Sequence, residues 1–320
     1  MSHEPSDFAE RTSPKLRPPR ATSDKSTMSH SVPDLTSPAQ LAQLFRRHNF
    51  RPKKRFGQSF LVDRNVLNKI LDAADIQEGD PVVEIGPGAG TLTLALAERG
   101  ANVVAVEVDR YLIAILQEVL ADHPNVSVIN ADILSLDMSS FLAEHFGEQN
   151  VKVVGNLPYY ITSPIVSQLL LARSRIERIV LMVQKEVAER MKASPGTKDF
   201  GSMSVFVQFH AEVEIIAHVS KNVFQPPPEV SSAILRLTPR SEPPVEVPSE
   251  EVFFDVVHCA FGQRRKTLLN SLSDCPALGL SKDQVAQVLH DADIDASRRA
   301  ETLSLAEFAR IACRLASGEV

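Results

Sequence analysis

The densest chemical signal in the chain is Val82-Val83-Glu84-Ile85-Gly86-Pro87-Gly88-Ala89-Gly90-Thr91, which reads as a strand, a glycine-rich turn and a helix start. Glycines reach positive φ at little cost and let a ligand approach the backbone closely. The next strand ends in Glu107, seventeen residues after Gly90. In α/β nucleotide-binding folds an acid at that place binds ribose hydroxyls. A glycine turn alone also fits any tight helix entry. Joined to the second strand and its terminal acid, it points to an adenosine-containing cofactor.

The dinucleotide fingerprint is G-x-G-x-x-G, whereas the glycines here run G-x-G-x-G. Glu84 precedes them, where an acid faces the cofactor. A negative group there suits a cationic amino acid or sulfonium better than a pyrophosphate. Asp132 ends the third strand and could accept from an adenine amine, although the same residue also reads as a helix N-cap. Together these features fit S-adenosyl-L-methionine.

The fourth strand runs out into Asn156-Leu157-Pro158-Tyr159. Ligands of open α/β sheets sit beyond the carboxyl ends of the strands, so this loop is well placed. Its residue types suit an exocyclic amine. The lone pair of adenine N6 is delocalised into the ring. The Asn156 carbonyl and a backbone carbonyl of Leu157 or Pro158 could hold the N6 hydrogens and draw the nitrogen towards tetrahedral geometry. Tyr159 offers a face for stacking a base. In isolation the tetrapeptide also reads as a proline turn with a buried tyrosine. A sulfonium is already an activated methyl donor, so no metal is required.

These groups need a scaffold, and the pattern around them supplies one. Apolar strands are expected over Val82–Ile85, Asn102–Glu107, Val126–Asn130, Val151–Gly155 and Arg178–Gln184. Helices are expected between them over Thr91–Arg99, Asp109–Ala121 and Leu136–His145, with another starting near Ser163–Pro164. Such alternation indicates a doubly wound, mostly parallel sheet. Asp63 to Ala74 predicts a helix with Asp63 as its cap, and Ser37 to Asn49 a short one with Pro38 in its first turn. Further strands are expected over Ser202–Phe209, Ala211–Val219 and Ser232–Leu237, the first two close enough to pair. Thr238 to Glu250 holds four prolines and reads as a linker. Helices then fill Glu251–Ala260, Thr267–Ser273, Ser281–Asp291 and Ser304–Leu315. The expected organisation is a disordered tail over 1–40, a catalytic α/β domain with a basic arm over 41–240, and a small all-helical domain over 251–320. The tail assignment rests on twelve Ser/Thr and six Pro without a hydrophobic period.

With 320 residues, 43% of them hydrophobic, the chain can bury a sizeable core, and collagen-like and wholly disordered classes are excluded. The net charge of −6 hides a strong asymmetry. Residues 46–69 carry eight cations and one acid, whereas residues 71–150 carry fourteen acids and two arginines. The arm residues Lys53, Lys54 and Arg55, and Arg264, Arg265 and Lys266 in the helical part, read either as solvated surface or as contacts to a polyanion. Three cysteines, Cys259, Cys275 and Cys313, are too few and too widely spaced for a zinc site or a disulfide framework. A reducing compartment and a cytoplasmic location are expected, with no apolar leader at the N-terminus. Val153 to Ala172 lacks formal charge over 20 residues, but two prolines and several polar groups argue against a membrane span.

Five separated motifs occur in one order: Arg55-Phe56-Gly57-Gln58-Ser59-Phe60-Leu61, Glu84 to Gly90, Gly155 to Tyr159, Val223-Phe224-Gln225-Pro226-Pro227-Pro228-Glu229-Val230-Ser231-Ser232, and Ala260 to Leu268. In these the chain resembles the ribosomal RNA adenine N6,N6-dimethyltransferases, specifically the bacterial small-subunit enzymes, over roughly residues 40–320. The resemblance implies a Rossmann-like class I methyltransferase sheet, S-adenosyl-L-methionine as cofactor, and a helical domain that helps grip RNA. It places cofactor contacts at Gln58, Ser59, Leu61, Gly86, Gly88, Gly90, Glu107, Asp132 and Asn156. Ser59 stands where the family often has Asn, and keeps a hydroxyl able to donate or accept. Catalysis falls to Asn156, Leu157, Pro158 and Tyr159, with Phe224 packing the target base opposite Tyr159; as a sequence feature alone Phe224 is equally a core residue. The implied reaction is dimethylation of two adjacent adenosines near the 3′ end of small-subunit (16S) rRNA in pre-ribosomal particles, by a monomer that needs no membrane. A large-subunit rRNA methylase of the macrolide-resistance type, a DNA adenine methyltransferase and a ribosome-assembly checkpoint factor stay open as alternatives.

Overall fold

The computed structural model describes residues 33–53 and 57–317. The expected tail up to residue 32, and Lys54 and Arg55 of the arm, lie outside the described residues. Of residues 33–40, counted with the tail by composition, Leu35 is buried at 2% exposed, while the others are exposed or intermediate.

The chain begins with α1 (Pro38–Arg47), β1 (Phe60–Leu61) and α2 (Arg64–Ala74), where Asp63 accepts from Val66 N at 2.9 Å and caps the helix as its sequence predicts. A regular alternation follows: β2 (Pro81–Ile85), α3 (Thr91–Glu98), β3 (Asn102–Glu107), α4 (Arg110–Val119), β4 (Val126–Asn130), α5 (Met138–Phe146), β5 (Val151–Asn156), α6 (Thr162–Leu171) and β6 (Ile176–Gln184). Then come α7 (Lys185–Lys192), α8 (Ser202–His210), β7 (Ala211–Val219), β8 (Phe224–Gln225) and β9 (Ser232–Pro239). The last part is helical: α9 (Glu250–Phe261), α10 (Leu268–Ser273), α11 (Lys282–Asp291) and α12 (Leu305–Ala316).

Seven strands form one sheet in the order β4-β3-β2-β5-β6-β9-β7. The first five are parallel, and β9 and β7 add an antiparallel edge. Successive side chains of a strand face opposite sides. Thus Val83, Ile85 and Val153 pack under α5 and α6, while Val82, Val103 and Val154 pack under α2 and α3. The result is a doubly wound, mostly parallel sheet of Rossmann type with helices on both faces. A third core lies between α1 and α4 and takes in Phe60 of the arm. The C-terminal helices have a core of their own around Phe253, Leu289 and Phe308. No described helix is long and apolar enough to cross a membrane. Val153 to Ala172 spans the end of β5, the following loop and α6.

Two expectations are corrected. Ser202–Phe209 is not a strand but most of helix α8, so it cannot pair with β7 as expected. Its apolar residues alternate because the helix is buried on two sides. Met203, Phe206 and Val207 meet the sheet-side core, while Val205 and Phe209 meet the core of the C-terminal helices. A helix with two buried faces imitates a period of two. The cysteines also come together: Cys259 and Cys275 form a disulfide with Cα atoms 5.5 Å apart, because α10 folds back on α9.

Candidate active site

One cavity lies beyond the carboxyl ends of β2, β3 and β5, where an open α/β sheet is expected to bind its ligand. Its floor is the glycine turn. Gly86 and Gly88 have φ of 69° and 60°, which a side chain rarely adopts. A Cβ on Gly88 would meet the Phe60 ring at 3.2 Å. Gly90 does not line the cavity. It takes φ of 93° at the start of α3, and a Cβ there would meet Leu116 of α4 at 3.2 Å. The absence of a side chain there lets α4 pack closely against the start of α3.

Glu107 ends β3 at the cavity wall, 5% exposed. Its two oxygens accept from the backbone: Gly88 N–H at 3.1 Å and Asp109 N–H at 2.8 Å. The first of these ties the glycine turn to the neighbouring strand. Burial raises Glu107 to about 7, against those two hydrogen bonds. Glu84 is buried more completely, and one of its carboxyl oxygens has no hydrogen-bond partner. Burial, with the Glu107 carboxylate beside it, raises Glu84 to about 8. Asp132 caps a short turn through Leu134 N–H at 3.0 Å, as one reading of the sequence has it, and also lines the cavity.

The arm forms the opposite wall. Gln58, Ser59 and Leu61 all line the cavity. β1 pairs with β8, matching Phe60 to Gln225 and Leu61 to Phe224. Asn156 Nδ2 donates to the Ser59 carbonyl at 3.1 Å. Leu157 N–H donates to Met182 O at 3.1 Å, and the Pro158 carbonyl accepts from Ile161 N–H at 3.2 Å. Tyr159 is half-buried, its hydroxyl 2.7 Å from Ser232 Oγ. Tyr160, on the same short turn, is 61% exposed at the rim.

Phe224 is placed differently from these residues. Its ring is 3% exposed in the core with Leu61, Val66 and Ile234, and it does not line the cavity. Lys53 turns inwards to Asp109, with Nζ 2.8 Å from Oδ1. Arg264, Arg265 and Lys266 lie exposed in the turn after α9. There Arg264 donates to the Lys198 carbonyl and Lys266 pairs with Asp274, each at 2.7 Å. Among the described residues no group of three or more His, Cys, Asp or Glu side chains could hold a metal ion.

The family described as ribosomal RNA adenine dimethylase matches residues 49–316 of the chain. The chain belongs to that family. Among curated dimethylase relatives, the ribosomal RNA small subunit methyltransferase A of Geobacillus thermodenitrificans is 47% identical over 280 residues, covering 87% of this chain and 96% of the relative. The protein of that name from Alkaliphilus oremlandii is 45% identical over 282 residues, covering 88% and 98%. A solved 23S rRNA methyltransferase, ErmE, is 31% identical with a TM-score of 0.61, covering 80% of this chain and 99% of that one. A dimethyladenosine transferase from Plasmodium falciparum shares the fold with a TM-score of 0.68 at 24% identity, covering 80% and 97%.

This dimethylase is therefore an rRNA adenine dimethyltransferase that depends on S-adenosyl-L-methionine. The cavity fits that cofactor. A buried carboxyl oxygen without a donor suits a cationic ligand, and the Glu107 carboxylate on the cavity wall can accept from hydroxyl groups. Sequence reasoning missed three cavity-side features of this family member. Val108 lines the wall 48% exposed beside Glu107. Ser232, the partner of Tyr159, lies 73 residues away in sequence. Asp109 reads only as the start of a helix until its partner Lys53 is seen.

Proposed function

We propose that this chain dimethylates N6 of two adjacent adenosines near the 3′ end of small-subunit (16S) rRNA. Its substrate is the pre-ribosomal particle during ribosome biogenesis in the cytoplasm, and it acts as a monomer. The curated relatives at 44–47% identity named for the small subunit support this target. One observation carries the chemistry: the Asn156 amide nitrogen is committed to Ser59, leaving its oxygen as the group that can accept from a substrate amine.

When bound, S-adenosyl-L-methionine supplies a methyl group already activated by its sulfonium. In this reading Glu107 accepts from the ribose hydroxyls, Asp132 from the adenine amine of the cofactor, and Glu84 complements the positive charge. Gly86 and Gly88 let the backbone approach, while Gln58, Ser59 and Leu61 close the wall. The Asn156 oxygen, with the Leu157 carbonyl beside it, holds the N6 hydrogens of the target more strongly as the nitrogen becomes tetrahedral. Pro158 fixes the turn, and Tyr159 presents a ring held by Ser232 for the target base. Phe224 reaches such a base only if its ring leaves the core beneath Leu61. Two methyls on each of two bases require four transfers, so the pocket must also take N6-methyladenine. Selection of the target then rests on the RNA surface, with Lys54, Arg55, Arg264, Arg265 and Lys266 at phosphates.

The test is to add purified protein and cofactor to undermethylated ribosomes and map the methylated nucleotides in total rRNA. Dimethylation of two neighbouring adenosines near the 3′ end of the small-subunit rRNA is expected. Methylation confined to large-subunit rRNA would instead favour the activity named for ErmE, and methylation of naked DNA a DNA enzyme.

A further inference from the structure

The cations of the arm invite one reading as phosphate contacts, but Lys53 is engaged within the protein. Its ammonium lies 2.8 and 2.9 Å from the two carboxyl oxygens of Asp109 and 3.9 Å above the Tyr111 ring. Its backbone N–H donates to Gln58 Oε1 at 2.8 Å, and Gln58 Nε2 donates to Asp109 Oδ2 at 2.9 Å. Two arm residues thus converge on one carboxylate 56 and 51 positions further along the chain. The Asp109 side chain is 2% exposed and that of Lys53 26%. A charge so deeply buried must be paired, and such a pair is screened far less than one on the surface. Asp109 also caps α4 through Tyr111 N–H at 3.2 Å, and its own N–H holds Glu107 Oε1. The next arm residues wall the cavity, fastened at Ser59 by Asn156 and at Phe60 and Leu61 by β8.

We propose that Asp109 is a positioning residue that latches the arm shut over the cofactor pocket through Lys53 and Gln58, so that retention of S-adenosyl-L-methionine depends on this ion pair. The proposal rests on the assignment of the pocket made above. It gives Lys53 a role distinct from RNA contact. The carboxylate that holds the arm and the one proposed for the ribose are neighbours joined through one backbone N–H, so arm closure and the ribose site are set by the same short segment.

The test measures affinity and dissociation rate of S-adenosyl-L-methionine without RNA for Lys53→Met, Asp109→Asn, the double variant and Lys53→Arg. Amide exchange over Ser59–Leu61 is followed without cofactor. Asn preserves the helix cap, so Asp109→Asn keeps the start of α4. Each single substitution is expected to weaken affinity about tenfold through faster dissociation, as for one charge-assisted hydrogen bond. The double variant should be no worse than the weaker single, and Lys53→Arg should stay within about threefold of the parent. Exchange over Ser59–Leu61 should rise in both singles. Unchanged cofactor affinity in Lys53→Met would overturn the latch, and a reduced salt slope in a parallel RNA-binding series would then make Lys53 a phosphate contact. Additive effects would overturn it too, leaving Asp109 to act only through Glu107. Glu107→Ala tests the pocket assignment on which the latch rests. If it leaves cofactor affinity intact the pocket assignment fails, while the latch still stands or falls on amide exchange.

Discussion

The side-chain amide of Asn156 donates to the backbone carbonyl of Ser59 at 3.1 Å, so the residue proposed to hold the target amine also holds the arm. Replacing Asn156 with Ala removes both. Removing a preorganised acceptor from the transition state is expected to lower kcat by about 10²–10³ with a smaller effect on KM. Asn156→Asp keeps an acceptor but cannot donate to Ser59, so its activity should fall between Ala and the parent. RNA affinity should persist in both. Single-turnover methyl transfer on immature subunits decides, and near-normal rates for Asn156→Ala would reduce the residue to a structural turn.

Glu107→Ala should weaken S-adenosyl-L-methionine binding by roughly tenfold or more, since hydrogen bonds to a charged group contribute about 1.5–3 kcal/mol. It also frees the Gly88 and Asp109 N–H groups. Calorimetry reads the affinity directly.

The raised carboxyls predict a pH dependence. Glu84, at about 8, is protonated in the free protein at neutral pH, and Glu107 near 7 partly so. A cationic ligand favours the ionised carboxylates, so binding expels protons and affinity should rise with pH. The slope is at most tenfold per unit for each carboxyl, and it flattens above about 8. For the free protein the sign is opposite. Each acid titrates near 4.5 when unfolded and higher when folded, so it costs stability as pH rises through that window. Glu84→Gln should remove one proton from the count released on binding, measured by calorimetry in buffers of different ionisation enthalpy. An unchanged count excludes Glu84 from the cofactor site.

Arg264, Arg265 and Lys266 replaced together by Ala should weaken RNA binding and reduce its salt slope by up to ~0.9 for each duplex phosphate no longer neutralised. The Lys266–Asp274 pair is exposed, so removing it should cost little stability. Cofactor affinity should not change. Filter binding across a salt series checks both halves, and an untouched slope would leave these residues a solvated turn.

Phe224 tests how far a family role transfers to a buried ring. Phe224→Ala is expected to cost about 3–5 kcal/mol of stability, whereas Phe224→Leu keeps most of the volume and should cost under about 1.5 kcal/mol. With the ring in the core, Phe224→Leu should retain kcat. A hundredfold drop in kcat with melting temperature preserved would place the ring against the base.

Much of this fold is legible along the chain because the central parallel strands are apolar over most of their length, and even the edge strand β4 keeps Val126, Val128 and Ile129. The β2 to β6 segments could be read from local pattern, and Glu107 and Asn156 fell at strand ends from the same reading. Where one residue answers to two neighbours, local reading fails. The alternation of Ser202–Phe209 answers to two cores at once and imitates a strand. Gly88 and Gly90 look alike in the motif, yet one faces the cavity and the other a helix. Lys53 shares a basic run with Lys54 and Arg55, and only the fold shows that its partner is an acid 56 residues away. Tyr159 depends on a serine two strands across the sheet, a pairing that no spacing encodes.

The glycine turn leaves β2 at Ile85 and the loop proposed for the substrate leaves β5 at Asn156, and Ile85 is registered directly against Gly155. The proposed donor and acceptor sites therefore issue from adjacent strands, whose separation of about 4.8 Å is fixed by backbone hydrogen bonds. A Cβ at Gly155 would approach the Ile85 carbonyl to 2.6 Å and wedge the two strands apart. The distance between the two sites is thus written into the main chain as a ruler. Side chains in the pocket can be exchanged to retune the substrate without altering that gauge, whereas one methyl group added at position 155 would stretch it.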